Sequence, residues 1–329
     1  MNAQTPETLP PPPGVMGSLQ AGFDAVSNHI TLILLPFVLD LFLWLGPRLS
    51  AGNLYHSLLR EWVEINNRAG LPVQNLAILE ERVDLLGLIN VLTNLRTFPI
   101  GIPSLLSGMI PESLPLRTPL GIQNVVQIPS VLHMLGWTVA LTLAGWIGGG
   151  LYFRSVSIAA SNEQEMINPW RAIVQTGILS LVWWIGLLVV LFPALMVLSL
   201  LALVSPLLAN GAAFVAILVS FWLIVPLFFM PHGIFVRRQN ALHSMFASLS
   251  MSRVTLPTSS LFVFSVIILS TGLNYLWSVP SGDSWMMLVG IAGHAFITTV
   301  LLAASFIYYR DTTDWLKNTY ERFRSFRTI

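Results

Sequence analysis

Long runs of apolar residues, separated by shorter polar links, dominate this chain. A helix needs roughly 20 apolar residues to cross the hydrocarbon core of a bilayer. Lipid offers no partner to backbone polar groups, so each such run is expected to be helical. The pattern predicts an all-α, polytopic integral membrane helical bundle with about six transmembrane helices. The predicted spans are residues 29–46, 131–153, 172–192, 209–230, 258–279 and 285–309.

The apolar stretch 172–230 is long enough for two kinked helices or for three short ones. Charge placement decides between them, because cytoplasmic links carry an excess of Lys and Arg. Arg171 precedes the stretch, and Arg237 and Arg238 follow it, so both ends are expected on the same side of the membrane. Two crossings are therefore predicted. Residues 194–208 are then either an extension of a helix or a turn at the outer surface.

The C-terminal tail is basic, whereas the link before the last predicted span is not. Residues 278–284 carry Asp283, and the tail after Tyr309 carries several arginines. The positive-inside rule then predicts that both termini are cytoplasmic. The proline-rich residues 1–14 are expected to be disordered. Residues 15–329 are expected to form a single domain in the cell (inner) membrane.

Residues 47–130 form one long link, predicted to be an extracytoplasmic amphipathic insertion. Apolar residues recur at helical spacing over 53–68 and again over 75–95, which indicates two amphipathic helices. Residues 98–119 contain five prolines, so irregular structure is expected there, on the outer membrane surface or over the bundle. Short amphipathic segments before some spans are expected to lie at the membrane interface.

Composition and charge narrow the class of protein. Of the 329 residues, 54% are hydrophobic and 9% are charged, whereas a soluble domain usually carries about 25% charged residues. So few charges cannot cover a water-facing surface, which makes the lipid bilayer the first expected partner. The net charge of +1 offers no basic field for nucleic acid. The absence of cysteine excludes disulfides, thiolate metal sites and a cysteine nucleophile.

Asp40 lies inside the first predicted span, in the segment LLPFVLDLFLWLGPRLS. A carboxylate at such depth costs about 2.5–3.5 kcal/mol, so it is expected to face protein and to be paired or protonated. His133, at the start of the second span, and Arg48 are its expected neighbours. Two interpretations stay open: a carboxylate that carries protons or binds a cation, and an internal hydrogen bond that locks the first two spans together.

His294 lies near the middle of the last predicted span, with Gly290, Thr298 and Ser305 on roughly the same helix face. A thin polar stripe of this kind is typical of a permeation path, but the favoured interpretation is interhelical hydrogen bonding, which explains the stripe without transport. Asn274, in the fifth span, is the expected partner of His294. The candidate intramembrane polar site comprises Asp40, His133, Asn274, His294 and Thr298.

Small residues recur every four positions along the second predicted span. This register lets another helix backbone approach closely, so the stripe is predicted to be the packing face of the helix. A bulky side chain at position 144 is accordingly expected to weaken folding or assembly. The stripe consists of Gly136, Ala140, Ala144 and Gly148.

The segment NALHSMFASLSMSR, followed by an apolar run, and the count of six spans resemble a group of uncharacterised six-span bacterial membrane proteins. That group is related to the membrane domain attached to some glycerophosphodiester phosphodiesterases. The resemblance covers about the C-terminal half of the chain and implies a similar membrane bundle. It does not imply phosphodiesterase activity, because this sequence lacks the catalytic domain and its acidic metal ligands.

Catalytic and metal-binding motifs such as HEXXH, GXSXG, GXXXXGK[ST] and GXGXXG are missing from the sequence. Catalysis needs clustered acids, bases or metal ligands, so no enzyme activity, cofactor or metal is predicted. The favoured function is a non-enzymatic membrane component: a scaffold, an assembly factor or an accessory subunit. Such a role implies a membrane-protein partner or a homo-oligomer. The alternative is a small-molecule or ion transporter that uses Asp40 and His294.

Overall fold

The computed structural model describes residues 12–71, 75–95, 97–108, 117–161 and 167–327. Within these ranges the chain is 80% helical with very little strand, as predicted for an all-α membrane bundle. The predicted disorder at the start of the chain falls mostly outside the described residues.

Ten α-helices, three short 3-10 helices and four short strands are found in the described part of the chain. The helices are α1 Val15–Asn28, α2 Leu34–Leu45, α3 Gly52–Arg68, α4 Leu76–Gly87, α5 Val131–Ser161, α6 Pro169–Val204, α7 Pro206–Phe229, α8 His232–Val236, α9 Ala241–Trp277 and α10 Met287–Arg327. The strands are β1 Arg48–Ser50, β2 Arg117–Thr118, β3 Gly121–Ile122 and β4 Val125–Gln127.

Five helical segments among the described residues are long and apolar enough to cross a membrane. They are α5, α6, α7 together with α8, α9 and α10, and they contain the second to sixth predicted spans, apart from two residues at the end of the fifth span and two at the start of the sixth. A sixth segment is counted only if α1 is joined to the chain from Ile30 to Leu45, and the chain bends by 93° at that junction. The chain is therefore a multi-pass, all-α membrane protein.

The first predicted span, residues 29–46, is not one continuous helix. Residues 30–33 form a 3-10 turn, and α2 begins at Leu34. Pro36 explains this restart: proline has no N–H to donate to the carbonyl of Leu32, but it is tolerated in the first turn of a helix. At 1.5 Å per residue, α2 is about 18 Å long, which is shorter than a hydrocarbon core of about 30 Å.

The apolar stretch 172–230 contains two long helices, as predicted. Helix α6 continues to Val204 and α7 begins at Pro206, so residues 194–208 extend the two helices rather than form a surface turn. Ser205 separates the helices in an extended conformation. Pro206 suits the first position of a helix, where its missing N–H leaves no hydrogen bond unmade.

The chain divides into two compact units. The first unit comprises Met1–Ile30, Phe153–Ser270 and Thr299–Ile329, and the second comprises Thr31–Tyr152 and Thr271–Thr298. Helices α5, α9 and α10 contribute residues to both units. The expectation of a single membrane domain stays a prediction.

Aromatic rings from α7, α9 and α10 build the core of the first unit. The rings of Phe262 and Tyr308 stack with centroids 4.2 Å apart, and Phe229 stacks on Phe262 at 6.3 Å. Helix α1 approaches α10 closely because Gly22 has no side chain. A Cβ atom at Gly22 would lie 2.6 Å from the backbone nitrogen of Ala304.

The second unit contains the insertion, whose short strands were not predicted. Strand β1 pairs in parallel with β4, and β2 pairs antiparallel with β3. Helix α3 agrees with the predicted helix 53–68, but α4 ends at Gly87 instead of continuing to residue 95. The carbonyls of Gly87 and Leu88 accept hydrogen bonds from Ser50 and Arg48 of β1, which satisfies the end of the helix.

Candidate functional site

Asp40 is fully buried in α2, and its carboxylate binds the proline-rich loop formed by residues 97–108. One oxygen accepts a hydrogen bond of 2.5 Å from the hydroxyl of Ser104. The other accepts one of 2.9 Å from the backbone N–H of Leu105. The Ser104 oxygen in turn accepts a bond from the N–H of Ser107 at 3.1 Å. The carboxylate therefore anchors the turn with which the loop ends.

The proline-rich loop is part of the core of the second unit rather than a surface segment. Its residues Ile100 and Ile102 are 0% and 6% exposed. Leu105 and Leu106 belong to a buried cluster with residues of α2 and α10, namely Leu43, Trp44, Met287 and Ile291. A buried loop needs internal partners for its backbone, and Asp40 supplies one of them.

The sequence made His133 and Arg48 the expected neighbours of Asp40, and the observed hydrogen bonds of both residues are with other groups. His133 is exposed at the start of α5, and its Nδ1 atom lies 2.8 Å from the hydroxyl of Ser130. Arg48 donates to the carbonyl of Leu88, and burial lowers the pKa of its guanidinium. The loop supplies a hydroxyl and an N–H directly to the carboxylate, and the pairings of Asp40 with His133 and Arg48 stay predictions. Both interpretations of Asp40, a carboxylate that carries protons and an internal hydrogen bond that locks the structure, stay open.

His294 and Asn274 do lie together, and both belong to the second unit. The Nδ1 atom of His294 lies 2.7 Å from the Oδ1 atom of Asn274, and His294 is buried. The hydroxyl of Thr298 donates to the carbonyl of His294, so its hydrogen bond lies within α10. Gly290 packs closely against the backbone of Trp277. These contacts fit interhelical hydrogen bonding between α9 and α10, and a permeation path stays a prediction.

The predicted packing stripe of α5 mostly faces outward. Gly136, Ala140 and Ala144 are exposed, and a Cβ atom at Gly136 would meet open space. Gly148 differs, because a Cβ atom there would lie 2.8 Å from the side chain of Ile102. Within the described part of this single chain, the first three positions of the stripe face away from the other helices, and the predicted packing of the stripe against another helix stays a prediction. Around its first members lies a shallow apolar groove of about 410 Å³, lined by Leu132, His133, Gly136, Trp137 and Ala140.

The neighbouring face of α5 makes the close contacts instead. A Cβ atom at Gly145 would lie 2.6 Å from the carbonyl oxygen of Leu95. At Gly149 it would lie 2.9 Å from the carbonyl oxygen of Ile100. Glycine is required at both positions because backbone, which cannot move aside like a side chain, occupies the space. The partner of this face is the end of the 3-10 helix Val91–Leu95 together with the start of the proline-rich loop, not an α-helix.

A buried polar face on α9 escaped the sequence analysis. Five hydroxyl residues recur there at spacings of four, four, three and four, which places them on one side of the helix. All are at most 3% exposed. The spacing of the five hydroxyl residues could have predicted this face. Averaged hydropathy does not detect it, because apolar residues lie between them. The five are Ser244, Ser248, Ser252, Thr255 and Ser259.

Two of these serines compensate for the break between α7 and α8. The hydroxyl of Ser244 donates to the carbonyl of Met230 at 2.5 Å, and that of Ser248 donates to the carbonyl of Pro226 at 2.6 Å. The break frees these acceptors, since the N–H of Met230 bonds to Leu227 rather than to Pro226. Buried carbonyls need a donor, so the serines make the break tolerable in an apolar interior.

His232, the first residue of α8, is a second polar group in the first unit. Its Nε2 atom lies 2.7 Å from the hydroxyl of Ser305 in α10. Its ring stacks on Phe228 with centroids 5.5 Å apart and lies 4.9 Å from the ring of Phe306. Ser305 was expected on one polar stripe with His294, but its hydroxyl donates to the carbonyl of Leu302 at 2.7 Å and lies beside this histidine.

Helices α3 and α4 enclose a charged cleft of about 580 Å³ in the second unit. The Nε2 atom of His56 lies 2.8 Å from a carboxylate oxygen of Asp84 and links the two helices. Exposed pairs of this kind contribute about 0–1 kcal/mol, so the pair orients the helices more than it stabilises them. The titratable residues lining the cleft are His56, Arg60, Glu64, Glu80 and Asp84.

Neither the clefts nor the buried polar groups form a metal centre in the described ranges. There, no group of three or more His, Cys, Asp or Glu side chains could hold an ion. The expected lack of a cofactor and of enzyme activity stays a prediction. Comparisons with protein family profiles, curated protein sequences and solved structures found no match. The resemblance to six-span bacterial membrane proteins likewise stays a prediction.

Proposed function

We propose that the protein is a non-enzymatic membrane component, a scaffold or accessory subunit, that holds a membrane-protein partner through the α3–α4 hairpin. The observation that carries this proposal is an apolar stripe on the outside of α3. Leu58, Trp62 and Ile65 recur at helical spacing and are 43%, 48% and 58% exposed. Apolar side chains grouped on an exposed face commonly mark an interaction surface.

The base of the hairpin is held by several contacts, which supports a docking role. The hydroxyl of Ser50 donates to the carbonyl of Gly87 at 2.9 Å, and the N–H of Leu49 donates to the side-chain oxygen of Asn90 at 3.1 Å. A Cβ atom at Gly87 would lie 3.0 Å from the Cα atom of Gly52, so the two helices approach closely there. A surface that is already ordered loses little conformational entropy on binding.

The double substitution Leu58→Gln with Trp62→Gln should abolish retention of the partner during purification in mild detergent. Buried tryptophan and its apolar neighbours often carry much of the binding energy of an interface. Both side chains are exposed in this chain, so its fold should persist. The measurement is the amount of protein that co-purifies in stoichiometric quantity with the wild type and with the variant.

Glu61→Gln is the matched control, because it changes an exposed polar residue beside Trp62 and should leave retention unchanged. If this control lost as much partner as the double variant, the apolar stripe would not be the cause of the loss. A photo-crosslinker at position 62 tests the proposal directly. Labelling of lipid alone would place the stripe on the membrane surface and contradict partner binding, as would a wild type that retains no stoichiometric protein.

A second candidate function, a small-molecule or ion permease, is favoured by the interior of the first unit. Helix α7 is broken from α8 beside buried serines, and α9 is kinked at Thr255, two residues before Pro257. In many transporters, broken membrane helices next to polar groups line the substrate site.

Proton flux tests a separate form of the permease candidate, the one expected from the sequence, which uses Asp40 and His294 of the second unit rather than the interior of the first. In proteoliposomes with an entrapped pH-sensitive dye, the wild type should dissipate an imposed pH gradient faster than protein-free vesicles. Asp40→Asn and His294→Gln retain hydrogen-bonding groups but cannot exchange the same protons, so each should abolish the extra flux. A wild-type rate equal to that of empty vesicles would contradict proton permeation. Unchanged flux in both variants would contradict a role of Asp40 and His294 in proton transfer.

A further inference from the structure

The β2–β3 hairpin of the insertion presents a small apolar tip. Leu120 and Ile122 are 72% and 79% exposed, among the most exposed apolar residues of the described chain. The hydroxyl of Thr118 closes the turn: it donates to the carbonyl of Gly121 at 3.0 Å and accepts from the N–H of Leu120 at 3.2 Å. Gly121 makes this turn possible, because its φ of +109° is a conformation that other residues rarely adopt. The two apolar side chains are therefore held on the surface by an ordered turn.

The residue that follows this hairpin fixes its level relative to the membrane. The side-chain amide of Gln123 is buried and donates to the carbonyls of Leu43 and Trp44, at the C-terminal end of α2. The indole N–H of Trp44 donates to the carbonyl of Gly282 at 2.8 Å, in the link between α9 and α10. Both of these helices are long and apolar enough to cross a membrane, so their link lies at a membrane surface. Gln123, and with it Ile122, therefore lies close to that surface.

A tryptophan marks the same level. The ring of Trp285, in the α9–α10 link, is 57% exposed and packs edge-on against that of Trp44, with centroids 6.0 Å apart. Exposed tryptophan favours the headgroup region of a bilayer, because its ring is apolar but carries one N–H donor. The hairpin therefore lies near the depth at which headgroups give way to acyl chains.

Apolar exposure continues from the hairpin into α5, which is one of the helices that can cross the membrane. Val125 and Val126 of β4 are exposed, as are Leu132 and Leu135 at the start of α5. Leu132 and Leu135 are three residues apart and so share one face of the helix. Residues 117–135 contain no aspartate or glutamate, so no carboxylate opposes contact with lipid. The hairpin therefore adjoins a helix face that is suited to lipid.

We propose that the β2–β3 hairpin is a lipid-insertion loop, whose side chains Leu120 and Ile122 enter the bilayer beside α5. The insertion is then attached to the membrane by its own apolar tip as well as by the helices on either side of it. A lipid surface suits this tip better than a protein partner, because the tip is small, lies at membrane level and adjoins the exposed face of α5. The proposal goes beyond partner binding by the α3–α4 hairpin and does not depend on it.

The test uses the lack of cysteine in the sequence, which lets single cysteines carry a nitroxide label without background. Leu120→Cys and Ile122→Cys are made in the full chain and reconstituted into dioleoylphosphatidylcholine vesicles. EPR power saturation measures collisions with oxygen, which concentrates among acyl chains, and with a water-soluble nickel chelate present on both sides. Both labels should collide with nickel several-fold less often than a label at Glu81→Cys, an exposed position of α4. They should collide with oxygen about as often as one at Leu135→Cys.

Every other pattern overturns the proposal. Frequent collision with nickel at either position would place the tip in water. Rare collision with both reagents would place it against protein, such as a second copy of the chain. Both native side chains are exposed, so the labelled variants should fold.

A second measurement asks whether the tip holds its neighbourhood in the bilayer. Leu120→Asn with Ile122→Asn should raise the nickel collisions of a label at Val125→Cys several-fold. Leu71→Asn is the matched control, because it makes the same kind of change at a residue that is 65% exposed and lies outside the hairpin. Nickel collisions unchanged by the double variant, or raised equally by the control, would overturn the proposal. The single labels at positions 120 and 122 decide the question even where the double variant fails to fold.

Discussion

Replacing Asp40 with alanine should destabilise the second unit by about 2–6 kcal/mol. The change leaves the hydroxyl of Ser104 and the N–H of Leu105 buried without their acceptor, and each such group costs about 1–3 kcal/mol. The proline-rich loop should then detach from the core. Thermal unfolding in detergent measures the loss of stability, and limited proteolysis within residues 97–108 measures the exposure of the loop.

A graded series of variants separates the lock from general effects of charge. Asp40→Asn retains an acceptor for Leu105 and a donor for the Ser104 oxygen, so it should keep the fold at a cost of about 1 kcal/mol. Ser104→Ala removes one of the two donors, so the stability of this variant should fall between those of the two Asp40 variants. Asp283→Ala removes an exposed carboxylate and should leave the melting temperature and the proteolysis of the loop unchanged. An alanine variant at position 40 as stable as the wild type would refute the lock.

Gly145→Val should be the most damaging single change on α5. The Cβ atom alone would lie 2.6 Å from both the carbonyl oxygen of Leu95 and the Cγ2 atom of Thr97, and valine adds two more methyl groups. Overpacking typically costs about 1–3 kcal/mol, and a collision with backbone belongs at or above the upper end of that range. The expected result is a strongly reduced yield of folded protein and a lower melting temperature in detergent.

Ala144→Val is the matched control, since it adds a similar volume at the adjacent position, where the side chain is exposed. It should leave stability within about 0.5 kcal/mol of the wild type. The four-residue spacing of small residues placed Ala144 on the packing face and so predicted the opposite, a loss of stability. Equal damage from both substitutions would mean that the exposed stripe packs against another helix, as in a homo-oligomer.

Hydropathy, together with the placement of the arginines, was enough to predict most of the fold. Residues 172–230 were predicted to hold two helices, because arginines at both ends required an even number of crossings, and α6 and α7 fill the stretch. The first predicted span failed for a local reason. Hydropathy averages over residues 29–46, but the chain breaks at His29 and restarts at Leu34, ahead of Pro36, and an average cannot register such a break.

The candidate site was less predictable, because its contacts depend on tertiary structure. His294 and Asn274 are 20 residues apart on helices joined by a short link, so their meeting could be inferred from sequence. The partner of Asp40 lies 64 residues away in a proline-rich segment with no regular pattern to place it. On α5 both rows of small residues are flanked by apolar ones, and composition does not tell a face that meets lipid from one that meets backbone.

The length of α6 exceeds the thickness of an ordinary membrane. Its apolar part, from Ala172 to Val204, is about 50 Å long, against an apolar layer of about 30 Å. A straight helix would have to lean by more than about 50°, beyond the usual range of about 0–40°. The surrounding bilayer must thicken, or the helix must bend at Pro193. Hydrophobic mismatch would then make long-chain lipids the preferred neighbours of this protein and would favour thick membranes over thin ones.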